Sequence, residues 1–148
     1  MRRLPLCLLL ALAVGGCDAG PFDADGEPYA ADAVDVQATP VGGYAAISEL
    51  ATYPRLARDA GISGRVVVHA EVVPGETPSE TRVMSTPSDL LSEAALKGVR
   101  ESAWMPARIG DREVAAEIGV CLDFRLTEET DPYGSPVGEV AASACPGV

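Results

Sequence analysis

The residues of this 148-residue chain that could carry chemistry are few: four cysteines, one histidine, a handful of serines and twenty-two acids. His69 has no second imidazole to complete a metal site or a catalytic dyad, and it falls on the polar side of an alternating run, where it reads as a surface residue. The serines have no base besides His69, and no Gly-x-Ser-x-Gly elbow occurs. Asp89, Glu93, Glu101 and the other carboxylates read as solvated faces, and nothing sets two of them about one substrate as glycoside hydrolysis requires. These residue types predict no enzyme, no cofactor and no metal. A formal charge of −11 excludes a duplex nucleic-acid binder, because phosphate neutralisation needs a basic face. The cysteines remain. Cys7 sits in an apolar leader, Cys17 follows it, and Cys121 and Cys145 are left as a pair.

Cys17 is placed by what precedes it. Arg2 and Arg3 open the chain, an apolar stretch runs from Leu4 to Val14 with only Pro5 interrupting, and Gly15 and Gly16 come next. That is the layout of a secretory signal, and its core is too short for the roughly 20 residues of a spanning helix. Val14-Gly15-Gly16-Cys17 also resembles the bacterial lipobox, with Val14 where leucine is usual. The expectation is a lipoprotein signal over 1–16 and lipidation at Cys17. The bland alternative is ordinary cleavage with Cys17 merely nearby. The first reading puts the chain in the cell envelope, lipid-anchored and facing the periplasm. In that oxidising compartment Cys121 and Cys145 can bridge, drawing the end of the chain across the polar face of the last strand. Free thiols or intermolecular pairing are the alternatives.

The elements that must position these residues lie in the middle of the chain. Residues 18–52 hold seven acids and no Lys or Arg; 53–126 hold eleven acids and nine bases; 127–148 hold four acids and no base. Residues 17–39 are expected to be an acidic flexible tether, 40–126 the folded domain, and 127–148 an acidic C-terminal tail. Ser48 to Ala60 reads as helix in two short pieces split at Tyr53-Pro54, since proline disfavours helix in the residue before it. Gly61 and Gly64 turn the chain into a strand over 65–73, where Val66, Val68, Ala70 and Val72 share a face. Pro74 to Pro78 is a turn by composition, and Thr81 to Ser85 a second strand. Thr86 is expected to cap a helix with Pro87 at its first position and Leu91, Ala95 and Val99 as its apolar stripe, ending near Trp104, which faces the core. Finally, Val114, Ala116, Ile118, Val120, Leu122, Phe124 and Leu126 alternate with mostly polar residues in one long strand, expected either to overhang its neighbour or to carry a bulge near Gly119. The sum is an α+β fold: a three-stranded antiparallel sheet with two helices packed on one face.

These residues, in this order, resemble the TonB C-terminal domain family. Pro40-Val41-Gly42-Gly43, Tyr53-Pro54, Ala57, Gly61-Ile62, Gly64 and Val66-Val67-Val68 resemble its opening. Glu93-Ala94-Ala95-Leu96 with Val99, then Trp104-Met105-Pro106-Ala107, resemble its second helix and the aromatic-x-Pro-Ala element after it, and 114–126 resembles its final strand. The resemblance implies a domain that grips an extended segment of an outer-membrane transporter, or another envelope protein, by strand addition beside the last strand. Val114, Ala116, Ile118, Val120, Leu122 and Phe124 mark that strand, and Tyr53, Pro54, Gly61, Gly64, Trp104 and Pro106 mark the family pattern. Energy transducers of the family have an N-terminal membrane-spanning helix and a long proline-rich linker, in place of the signal and short tether read here. An anchoring lipid cannot pass a motor's motion across a bilayer. The ranking is therefore a lipid-anchored binding module first, a structural envelope lipoprotein pairing with a second copy through its last strand second, and an energy transducer third. Because of Cys145, one more arrangement is open: Gly138 to Cys145 lying beside the last strand and blocking its edge until the bridge is reduced.

Overall fold

The structure, a computed structural model, describes residues 20–23 and 26–145. The signal segment 1–16 and the lipidation expected at Cys17 lie outside the described residues. In chain order, β1 (Thr39–Pro40) leads into α1 (Tyr44–Leu50) through Gly42 and Gly43, whose φ values of 82° and 75° suit glycine. That turn lets the helix begin four residues earlier than the apolar pattern alone suggests. Tyr53-Pro54 breaks the helix as expected, and α2 (Arg55–Asp59) follows. It ends at Gly61, where Gly61 N–H donates to the Arg58 carbonyl and Ile62 N–H to that of Ala57.

β2 (Gly64–Val72) buries Val66, Val68, Ala70 and Val72, and the Pro74-Gly75 turn returns the chain as β3 (Ser79–Ser85). α3 (Asp89–Glu101) is capped by Ser88, whose hydroxyl accepts from Leu90 N–H. The cap thus sits two residues after Thr86. The Thr86 hydroxyl instead closes a turn on Ser88, accepting from its N–H at 3.2 Å and donating to its carbonyl at 2.8 Å. Leu91, Ala95 and Val99 form the buried stripe of α3. Five more strands follow: β4 (Trp104–Met105), β5 (Ala107–Ile109), β6 (Arg112–Val114), β7 (Ala116–Thr130) and β8 (Pro136–Ala144).

The main sheet has the order β3-β2-β7-β8 and is antiparallel throughout, while β1 pairs with β4 and β5 with β6. This corrects two expectations. The sheet has four strands rather than three, and there are three helices rather than two. The long strand read from Glu113 to Leu126 is also interrupted, at Ala115. Its N–H donates to the Pro21 carbonyl and its own carbonyl accepts from Tyr29 N–H, so the residue leaves the ladder to hold the N-terminal segment. Residues 127–130 continue β7, and 136–144 form a strand rather than a solvated arm. The small side chains and irregular alternation of Pro136–Ala144 hide this from a periodicity reading, because the strand is held by backbone pairing with β7. The acidic N-terminal segment also lies on the body: Tyr29 bridges Ala116, Val36 bridges Arg108, and Ala38 is buried. The core fills the space between helices and sheet, with Phe124, Ile47, Leu91 and Leu122 its largest fully buried side chains.

Candidate functional site: the edge of the last long strand

β7 is the spine of the sheet. On one side it pairs with β2 from Ala116 to Phe124 without a register shift. On the other, β8 pairs with it from Val120 to Leu126. The rest of that second edge is also taken. Tyr29 N–H donates to the Ala115 carbonyl and Glu117 N–H to the Tyr29 carbonyl, each at 2.8 Å, and Cys145 N–H donates to the Gly119 carbonyl at 3.0 Å. The backbone groups that an added strand would use are thus met by the chain itself. Where β8 ends, a cleft of about 460 Å³ opens over Ile118 and Gly119, walled by Val34, Ala38, Tyr44 and Ala144.

The side chains of Val114, Ala116, Ile118, Val120, Leu122 and Phe124 all point into the core and are at most 7% exposed. Their place is beneath the strand, where burial fixes β7 and leaves its backbone as the surface on which pairing occurs.

β8 has a shaped seat. The Ser48 hydroxyl, on α1, accepts from Ala142 N–H at 2.9 Å. The Tyr53 ring lies against Gly138, so closely that a Cβ there would overlap it. That ring is fixed at both ends: it meets Phe124 edge-on with centroids 5.3 Å apart, and its hydroxyl donates to the Ile62 carbonyl. Arg58 on α2 donates to the Pro136 carbonyl at 3.1 Å and lies 3.5 Å from Asp131, while the Arg55 guanidinium sits 5.6 Å over the Tyr133 ring. Asp131 organises the turn between β7 and β8 by accepting from the N–H groups of Tyr133 and Ser135. The bond from Ser135, then that from Tyr133 and the charges of Arg58 and Arg55, hold its carboxyl below the usual aspartate range against a smaller opposing effect of burial.

At the far end of β8 the sulfurs of Cys121 and Cys145 are joined, with Cα atoms 5.3 Å apart. The two residues are only 8% and 9% exposed. On the same outer face Arg65 grips Asp123 through two bonds of 2.8 and 2.9 Å, and this lowers the Asp123 carboxyl. His69 Nε2 lies 3.7 Å from Glu117, and Glu71 stands directly opposite Glu117. Burial, followed by the charges of Glu80, Glu117, Glu27 and Glu76, raises Glu71. Among the described residues no three His, Cys, Asp or Glu side chains are grouped to hold a metal ion.

The family-pattern residues serve the scaffold of this edge. Tyr53 forms the seat, Pro54 caps α2, and Gly61 and Gly64 turn at φ 68° and 140°, with Gly64 close to Pro87. Trp104 is half-buried, meets Tyr44 edge-on and donates from Nε1 to the Ser102 hydroxyl at 2.7 Å; Pro106 separates β4 from β5. As parts of this seat, Ser48 and the Asp131 turn escaped the sequence reading, and Gly138 entered it only as the start of a segment placed beside the last strand. Only the turn had a local signal, the composition Asp131-Pro132-Tyr133-Gly134.

The fold defines an α+β domain built on an antiparallel sheet whose last long strand is edged by β8. Residues 49–126 match the Gram-negative bacterial TonB protein C-terminal family, and the chain belongs to that family. It is similar to Protein tonB2 of Pseudomonas aeruginosa, with 35% identity over 75 residues. That stretch is 50% of this chain and 28% of the relative, so most of the relative's length has no counterpart in the match. No solved structure matches the chain significantly. The family match stops at Leu126, so the turn and β8 lie beyond it. Among the described residues no helix is long and apolar enough to cross a membrane.

Proposed function

We propose that the chain is a lipid-anchored module of the cell envelope, held by Cys17, that binds an extended peptide by strand addition along β7. The partner is a segment of an outer-membrane transporter or another envelope protein. One observation supports the reading: β8 lies antiparallel along the edge of β7, in a seat built from Ser48, Tyr53 and Arg58. Family membership supports the choice of partner. Pairing with a second copy through β7 is the alternative. Because both edges of β7 are occupied, it requires an exchange of β8 between copies.

The test is a titration of the isotope-labelled protein, oxidised and then reduced, with N-terminal segments of the host's own outer-membrane transporters. Saturable amide shifts along 116–126 and in β8 are expected. No shifts in either state, together with a dimer by sedimentation, would replace the proposal with self-assembly.

A further inference from the structure

The contacts that seat β8 do not depend on its being part of the same chain. Gly138, Val140 and Ala142 are half-buried on the side of the helices, while Glu139, Ala141 and Ser143 are exposed. The first inward position has no room for a side chain under Tyr53, and the third offers its N–H to Ser48. Two covalent ties keep this strand and not another in place. One is the short turn through Asp131 to Ser135, and the other is the disulfide that closes the opposite end.

We infer that β8 is an intramolecular stand-in for the partner peptide, and that the Cys121–Cys145 disulfide is the latch that keeps it from being exchanged. The inference rests on the strand-addition reading above and names the ligand class. The fitting peptide is extended, runs antiparallel to β7, and carries glycine where it crosses Tyr53. Two residues further on it has a β-branched residue, and two beyond that a small one.

With the bridge closed, an incoming peptide must displace a strand tethered at both ends. With it open, the turn is the one covalent tie left at the ends of β8, beside its pairing with β7 and its contacts in the seat. For cysteines 24 residues apart, the loop-closure term makes release roughly a hundredfold or more easier once the bridge is cut. A peptide's apparent affinity rises with the fraction of molecules whose edge is free. The opening reagent is a dithiol reductant. One of its thiolates attacks one sulfur of the bridge, and the other cysteine leaves as a thiolate. The reductant's second thiol then attacks the mixed disulfide. Two electrons and two protons pass to the cysteine pair, which ends as two thiols, and the reductant ends as its own disulfide.

The experiment uses the full chain and a fluorescent synthetic peptide with the sequence of Ser135–Ala144, plus a control peptide with valine at the position of Gly138. Anisotropy is measured with oxidised protein, with protein held in dithiothreitol, and with the Cys121→Ser/Cys145→Ser variant. Amide exchange of β8 is followed in the same samples. The expected result is no uptake by the oxidised form, and uptake at least a hundredfold tighter by the reduced form and the variant. The control peptide should not bind, and exchange in β8 should accelerate on reduction. Equal affinity in both redox states, or β8 amides that stay protected after reduction, would overturn the latch and leave the strand-addition reading standing. Free exchange in β8 with no peptide uptake would overturn both. Reduction that yields a dimer in place of peptide binding would overturn the stand-in role in favour of strand exchange.

Discussion

Gly138→Ala tests the seat of β8 with a single methyl group. In a strand, alanine is ordinarily the better residue by about 0.5–1 kcal/mol, because glycine loses more backbone freedom on folding. Here the added Cβ would overlap the Tyr53 ring. The ring cannot retreat, because Phe124 lies against it edge-on and its hydroxyl is bound to the Ile62 carbonyl. Overpacking of this kind costs about 1–3 kcal/mol, so the steric loss exceeds the backbone gain and the net effect is destabilisation by roughly 1–2 kcal/mol. For a folded unit of this size that is a fall in Tm of roughly 4–8 °C. Urea unfolding should show a lower midpoint with unchanged slope. A cycle with Tyr53→Leu should show the two losses adding to less than their sum by about 1 kcal/mol, since the smaller side chain makes room for the methyl. A Gly138→Ala protein as stable as the parent, with the same slope, would mean that the ring does not bear on β8 and would refute the reasoning.

Ser102→Ala leaves the Trp104 indole N–H without its partner beside a residue only 2% exposed, so a loss of about 1–3 kcal/mol is expected, together with a shift in emission from the chain's single tryptophan. Glu71, raised by burial and neighbouring acids, carries a stabilising contribution that is full below its unfolded pKa and lost as pH rises through its folded value. Glu71→Gln should therefore stabilise at pH 7, by roughly 0.2–1 kcal/mol from relief of the cross-strand repulsion, and make no gain in acid; urea midpoints at the two pH values decide it. Asp123 and Asp131 have the opposite sign: their depressed carboxyls stabilise the fold above the ordinary aspartate range, and that contribution is lost as pH falls through their folded values. Protection of the β7–β8 turn amides, taken relative to their intrinsic exchange rates, should fall below about pH 4, with a flatter dependence in Asp131→Asn.

The local pattern determined a good part of this protein. Alternating valines fixed the inward face of β2, the four-residue spacing of Leu91, Ala95 and Val99 fixed the buried side of α3, and Tyr53-Pro54 split the first helical segment in two. Each is a case where a residue's neighbours in sequence are also the ones that constrain it, through side-chain alternation, helical repeat or proline geometry. The order of Tyr53-Pro54, Gly61, Gly64 and the tryptophan-proline element also carried the family resemblance that the match over 49–126 bears out. What the sequence left open was decided by contacts between residues far apart in the chain. β8 has no strong apolar rhythm of its own; it is a strand because β7 supplies backbone partners, Ser48 takes an N–H 94 residues away, and Tyr53 accepts a glycine against its ring. Tyr29 and Val36 leave their acidic surroundings for the body for the same reason, that an exposed strand edge satisfies the backbone of whatever segment reaches it. Composition could describe those segments as acidic, and Cys145 left open that Gly138 to Cys145 lie beside the last strand, but only the tertiary structure decides the register and the seat by which the chain fills that edge, because both depend on partners far away in sequence.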